Sequence, residues 1–163
     1  MRKIISVSLA KFEDAKLLFK IHNASVKGGY LNSKNLIFYK DHIEWFKKKL
    51  KSNSKIYIGK NSIKKKFGYV RFDEVKSNIF EVSLANLQSF YGKGLGSLML
   101  EKSIKKFKKN YKSKKITAIV KKFNVRSEKC FLKNNFIKVK FDKKKHYAIN
   151  KINLKKEYYF ELK

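Results

Sequence analysis

The chain has 163 residues, 43% of them apolar, which suits one domain over residues 1–163 with a core of its own. Its formal charge is +30, yet lysines spread over every segment, proline is absent, and Arg2, Arg71 and Arg126 are the only arginines. That pattern reads as drift in a genome poor in G and C rather than as a base-reading surface, which relies on arginine, so no specific nucleic-acid partner is expected, although the field favours polyanionic small molecules.

Met1-Arg2-Lys3 and the apolar run behind it mimic a secretion signal, but Ser6 and Ser8 interrupt the run and Lys11, Glu13 and Asp14 close it. Alternation of Ile5, Val7 and Leu9 predicts a first strand over 3–9. Glu13 to Asn23 follows as a helix through Leu17, Leu18 and Ile21, and Gly28-Gly29 marks a loop. Asp41 precedes a second helix, with Glu44 placed as in a capping box. On it Ile43, Phe46 and Leu50 share one stripe, with His42 and Trp45 on a neighbouring face.

A hairpin is predicted over 55–59 and 67–73, then a turn at Lys76-Ser77-Asn78. The strand 79–87 puts Phe80, Val82 and Leu84 on one face and Glu81, Ser83 and Ala85 on the other. Gly92, Gly94 and Gly96 then open a helix to about Asn110 with Leu100, Ile104, Phe107 and Tyr111 in its apolar stripe. Glycines let backbone amides crowd around a bulky anion, and the helix start adds partial positive charge and unpaired N–H groups. This is a pyrophosphate cradle, and a pyrophosphate-bearing cofactor points to an enzyme.

Residues 115–121 read as a strand, Asn124 to Asn134 as a short helix, and 136–141 and 157–162 as closing strands. Cys130, the one cysteine, excludes an internal disulfide and a cysteine-based zinc site, so no metal is expected. No apolar run reaches the ~20 residues of a membrane span, so no membrane insertion is expected, and a cytoplasmic location is. The whole reads as α+β, a mixed central sheet flanked by helices.

That element order and two motifs resemble the GNAT superfamily of acetyl-CoA-dependent N-acetyltransferases. One motif is Tyr91-Gly92-Lys93-Gly94-Leu95-Gly96, similar to the family's Arg/Gln-x-x-Gly-x-Gly/Ala loop. The other runs from Asn124 through Ser127 and Phe131 to Asn135-Phe136, similar to the family's Asn-x-x-Ser/Ala-x-x-x-Tyr-x-x-x-Gly-Phe. Three positions depart from the pattern: Tyr91 for Arg or Gln, Phe131 for a tyrosine that protonates the departing thiolate, and Asn135 for glycine. The resemblance implies acetyl-CoA held by Gly92, Lys93, Gly94, Leu95, Gly96 and Ser97. It further implies strand backbone at Leu84, Ala85, Asn86 and Leu87 along the pantetheine arm, with Asn124, Ser127 and Phe131 opposite. An N-cap role for Asn124 is compatible with this.

Glu81 resembles the general base of many members, the alternative being a solvated charge facing Lys76 or Arg71. The stretch from Asn32-Ser33-Lys34 through Asp41-His42-Ile43-Glu44-Trp45-Phe46 to Leu50 resembles bacterial sugar-modifying members of the superfamily, among them enzymes of the pseudaminic-acid pathway, which acetylate the 4-amino group of a nucleotide-linked deoxysugar. It implies a substrate-side location for His42 and Trp45, and Asn23, preceded here by His22, matches an asparagine that follows an arginine in these relatives; an exposed surface role for His42 and core packing for Trp45 stay open. With Phe131 in place, Ser127, Cys130 or solvent is left to protonate the thiolate. A protein N-terminus, a lysine or a polyamine is the alternative acceptor, and a non-catalytic nucleic-acid-associated protein is a second class. The assembly state is open, a homodimer included.

Overall fold

The computed structural model describes residues 5–30, 35–112, 114–148 and 152–163. Seven strands form one sheet: β1 (Ser6–Leu9), β2 (Lys55–Lys60), β3 (Lys66–Lys76), β4 (Ile79–Asn86), β5 (Lys115–Lys121), β6 (Phe136–Val139) and β7 (Glu157–Leu162). Four helices join them: α1 (Ala15–Lys27), α2 (Tyr39–Lys51), α3 (Leu95–Asn110) and α4 (Val125–Lys133). The sheet order is β1-β2-β3-β4-β5-β7-β6. Each neighbouring pair is antiparallel except β4 and β5, the two strands joined by α3. The α+β architecture with a mixed sheet is the one the sequence predicts.

Alternation along the strands assigns the helices to faces. On one face, Leu100, Ile104 and Phe107 of α3 and Phe131 of α4 pack against Val70, Phe72, Phe80, Val82, Ile116 and Phe160. Phe107 stacks on Phe72 at 4.3 Å and on Tyr111 at 4.6 Å, and it meets Phe80 edge-on at 5.0 Å. On the other face, Leu18 and Ile21 of α1 and Phe46 of α2 cover Ile56, Ile58 and Tyr69.

Two readings of the helices need correction. The first helix continues past Asn23 to Lys27, because Ser25 and Val26 extend the buried stripe and no breaker comes before Gly28. The second starts at Tyr39, not after Asp41, and its N-cap, Phe38, has no side-chain cap bond, so the capping box does not form. Asp41 instead lies in the first turn, where a negative charge complements the helix dipole. The buried residues of α2 are His42 and Phe46, while Leu50 is exposed. Residues 3 and 4 of the expected first strand, and Asn32 to Lys34, lie outside the described residues.

One feature of the sheet creates the site. The strands β4 and β5 pair only at Ile79–Lys115, Phe80–Ile116 and Glu81–Thr117. Beyond that point β4 stays on β3 through Gly68–Asn86, and β5 stays on β7 through Lys121–Glu157. The sheet therefore splits down its middle, and one backbone edge of β4 after Glu81 lacks a strand partner.

Candidate active site

The split opens into a cavity of about 410 Å³. One wall is Leu84, Ala85 and Asn86 at the end of β4; the floor is Gly92, Gly94, Leu95, Gly96 and Ser97; the opposite wall is Asn124, Arg126, Ser127, Lys129, Cys130 and Lys133 of α4 and its cap. Ser25, Tyr30, Phe90 and Tyr91 complete it. Among the described residues no carboxylate lines it, whereas three cations do.

The glycines have separable reasons. Gly94 is the N-cap of α3 and sits in the left-handed region at φ 69°, a conformation costly to a residue with a Cβ. Gly96, the second residue of the helix, is needed for space: a Cβ there would meet Asn86 Nδ2 at 3.0 Å and Leu84 Cδ1 at 3.6 Å. The start of α3 can thus lie directly against the open edge of β4. Asn134 fixes it from the far side, its Nδ2 donating to Ser97 Oγ at 3.0 Å and to Cys130 O at 2.8 Å. Asn135 adopts φ 64°, so asparagine fills the left-handed role in which the family pattern has glycine.

Asn124 lines the cavity and caps α4 at once: its Oδ1 accepts from Ser127 N at 3.2 Å. Asn86 also lines it, with an Oδ1 that is buried without a hydrogen-bond partner. Three expected cofactor residues are not in the cavity lining, although what is expected of Lys93 is its backbone amide. Leu87 spends its amide on Phe67 O at 2.8 Å, so it does not extend the open edge. The Lys93 side chain turns back to Ser89 O at 2.8 Å and over the Phe90 ring. Phe131 is 3% exposed, meeting Phe136 at 5.0 Å and Phe160 at 6.0 Å in the core.

Glu81 occupies the apex of the split, half-buried on the face opposite Phe80 and Val82, in register with Asp73 and Thr117. Its neighbour Tyr159 has its hydroxyl pushed up, chiefly by burial, with Glu161 and Glu81 adding to it. Asp73 is bound by Lys49 Nζ at 2.6 Å, Arg71 Nε at 2.5 Å and Ser54 Oγ at 2.8 Å. Burial would raise that carboxyl, but Arg71 and Lys49 together outweigh it and hold it low.

The residues expected on the substrate side are tied into the scaffold. His42 is 2% exposed, its ring hydrogen-bonded through Nε2 to Ala15 O at 2.8 Å and stacked on Phe46, so it is neither a surface residue nor a cavity wall. Asn23 spends both ends of its amide on Ile37, donating to its carbonyl at 3.2 Å and accepting from its amide at 3.1 Å. Trp45 packs between α2 and the sheet, with the Arg71 guanidinium 5.3 Å over its ring. Sequence reasoning missed Tyr30, Phe90, Arg126, Lys129 and Lys133 in the cavity wall. Four wall residues of α4, at 126, 129, 130 and 133, have the spacing of one helical stripe, a signal that was available.

Residues 24–136 match the Acetyltransferase (GNAT) family, and the chain belongs to it: an acetyltransferase whose donor is acetyl-CoA. No curated protein sequence gives a significant match. Among solved structures, the fold is similar to the ribosomal-protein-alanine N-acetyltransferase of Brucella melitensis, with TM-score 0.78 and 12% identity over 96% of this chain and 98% of that one. It is similar to YncA of Salmonella typhimurium, solved with its cofactor acetyl-CoA, with TM-score 0.77 and 15% identity over 97% and 92%. A variant of the spermidine N-acetyltransferase SpeG of Vibrio cholerae gives TM-score 0.75 and 11% identity over 96% and 94%. The residues of the cavity fit the donor: glycines where a polyphosphate needs close approach, cations and no carboxylate around them, and an open strand edge beside them.

Proposed function

We propose that this acetyltransferase acetylates a primary amine on an anionic small molecule, the 4-amino group of a nucleotide-linked deoxysugar being the acceptor that suits it. The split between β4 and β5, with the glycine loop at its wide end and Glu81 at its apex, carries the reading. Bound acetyl-CoA supplies the thioester carbonyl that the amine attacks. The amides at the start of α3 would hold its pyrophosphate, and the free edge of β4 from Leu84 to Asn86 would pair with its pantetheine arm. The Asn124 side chain faces that arm from α4.

An amine reacts only as the free base. Glu81 is the carboxylate placed at the end of the split, and its role is to take the ammonium proton, directly or through one water. Proton transfer of this kind is worth roughly 10²–10⁴ in rate. Proximity of amine and carbonyl supplies more, up to ~7–11 kcal/mol.

Charge supports an anionic acceptor. A +30 chain repels a polyamine, and two carboxylates near the apex are already matched by cations: Asp73 by Lys49 and Arg71, Glu161 by Lys115. The test is thiol release from acetyl-CoA over a panel of UDP-4-amino-4,6-dideoxysugars, spermidine and N-terminal peptides. Turnover should be greatest with the nucleotide sugars, and Glu81→Gln should lower kcat about 100-fold with CoA affinity unchanged. Preference for spermidine or peptide would reject the acceptor, and full activity of the variant would remove Glu81 from the mechanism.

A further inference from the structure

We propose that Arg126 of α4, clasped between Tyr30 and Tyr91, is the side-chain cation that grips the pyrophosphate of acetyl-CoA. The proposal rests on the donor site assigned above and concerns which residue of this chain supplies its charge.

The glycine loop offers backbone only. Its one cationic side chain, Lys93, is folded onto Ser89 O and Phe90 and does not line the cavity. Among the described residues, each cation that does line it comes from α4: Arg126, Lys129 and Lys133. Of these, Arg126 is the guanidinium, whose planar fork matches phosphate oxygens two at a time, a match that an ammonium does not make.

Its position is fixed from two sides. The guanidinium carbon lies 4.3 Å over the Tyr91 ring and 5.3 Å over the Tyr30 ring, and Nη2 donates to Tyr30 Oη at 2.6 Å. Aromatic faces hold the plane of the group and leave its edge N–H donors for a ligand: a guanidinium has five, and the Tyr30 bond uses one. Tyr30 is in turn anchored to the chain leading into α4, since its ring packs on Phe123 at 6.2 Å and Lys121 Nζ donates to Gly29 O at 2.9 Å. Three distant segments thus converge on one guanidinium, which lines the same cavity as Gly92, Gly94 and Gly96. Tyr91 contributes no charge of its own: burial, the largest effect on it, pushes its hydroxyl up. It serves as the shelf on which the cation from α4 rests.

The experiment compares wild type, Arg126→Gln and the double variant Tyr91→Arg/Arg126→Gln with three donors: acetyl-CoA, 3′-dephospho-acetyl-CoA and S-acetyl-pantetheine, which has no pyrophosphate. Arg126→Gln is expected to raise KM about tenfold for both phosphorylated donors, with kcat at saturation and KM for S-acetyl-pantetheine unchanged. The double variant, which returns a guanidinium to the loop, is expected to recover most of the loss. An unchanged KM for acetyl-CoA would overturn the proposal. So would an equal loss with S-acetyl-pantetheine, which would make Arg126 a structural residue, or a loss that vanishes with the 3′-dephospho donor, which would place it on the 3′-phosphate. Wild type that fails to bind CoA would take down the donor site itself, whereas wild-type binding that Arg126→Gln leaves intact sinks this inference alone.

Discussion

Phe131 turns its ring into the core, between Phe136 and Phe160, so the position at which relatives carry a tyrosine offers no proton to the cavity. Cys130 beside it does line the cavity, but burial pushes its thiol up to about 12. Moving a proton from there to a thiolate of ordinary pKa ~8.5 is uphill by roughly 5 kcal/mol. A thiolate that is moderately stable near neutral pH can leave and take its proton from water. Phe131→Tyr should therefore give no rise in kcat, and it should lower stability by about 1–3 kcal/mol, read from a denaturant melt, as a hydroxyl is buried beside two phenyl rings. A clear gain in turnover would show that this side chain reaches the thioester after all. The histidines provide a second residue-scale expectation. His42 and His22 are both held below their ordinary 6.5, chiefly by burial, so the folded chain keeps them neutral. Below that value the unfolded chain takes up protons that the folded chain refuses. Stability is thus complete above 6.5 and falls as the pH drops through it, by up to ~1.4 kcal/mol per pH unit for a fully neutral His42. Melting temperature measured from pH 7.5 down to 5.5 should decline, and His42→Gln should flatten the slope; an unchanged slope would mean that His42 protonates freely in the fold.

Helices and strands carried different amounts of legible information. The strand at 79–87 alternated strongly enough to place Glu81 opposite Phe80 and Val82, and the helix from the glycine loop to Asn110 has the predicted stripe. The loop itself was readable because its requirement is local: three glycines next to a helix start dictate a backbone, whatever packs around it. Asn23 and His42 were misplaced, and the two readings of Trp45 left undecided, for the opposite reason. Which flank of α1 or α2 meets the sheet depends on contacts with Ala15, Ile37 and Arg71, and spacing along one helix does not contain them. Tyr30 joins the cavity from a segment far away in sequence. The loop gives the sharpest element-scale expectation. Gly94→Val forces a β-branched residue to φ 69°, a strain of about 1–3 kcal/mol confined to the start of α3, while the stack of Phe107 on Phe72 and Tyr111 stays in place. Circular dichroism should show a cooperative melt, and calorimetry a loss of CoA affinity of tenfold or more. Affinity equal to wild type would mean that the loop does not hold the donor.

Over the whole molecule, the split sheet and the charge act together. A +30 surface draws polyanions toward the chain from beyond contact distance, an attraction that salt weakens. Inside, the start of α3, the open edge of β4 and α4 face one another across the cavity. None of the described helices is long and apolar enough to cross a membrane. The lysine-rich composition suits a polyphosphate donor, and the backbone geometry of the cavity depends on a few glycines and asparagines. The most direct measurement is the crystal structure of the chain grown with acetyl-CoA. The expected density runs from a pyrophosphate over Gly92 to Gly96, along Leu84 to Asn86, to an acetyl group ending near Glu81. A donor bound outside the split, or an α4 closed onto β4 so that the cavity is filled by protein, would contradict the account.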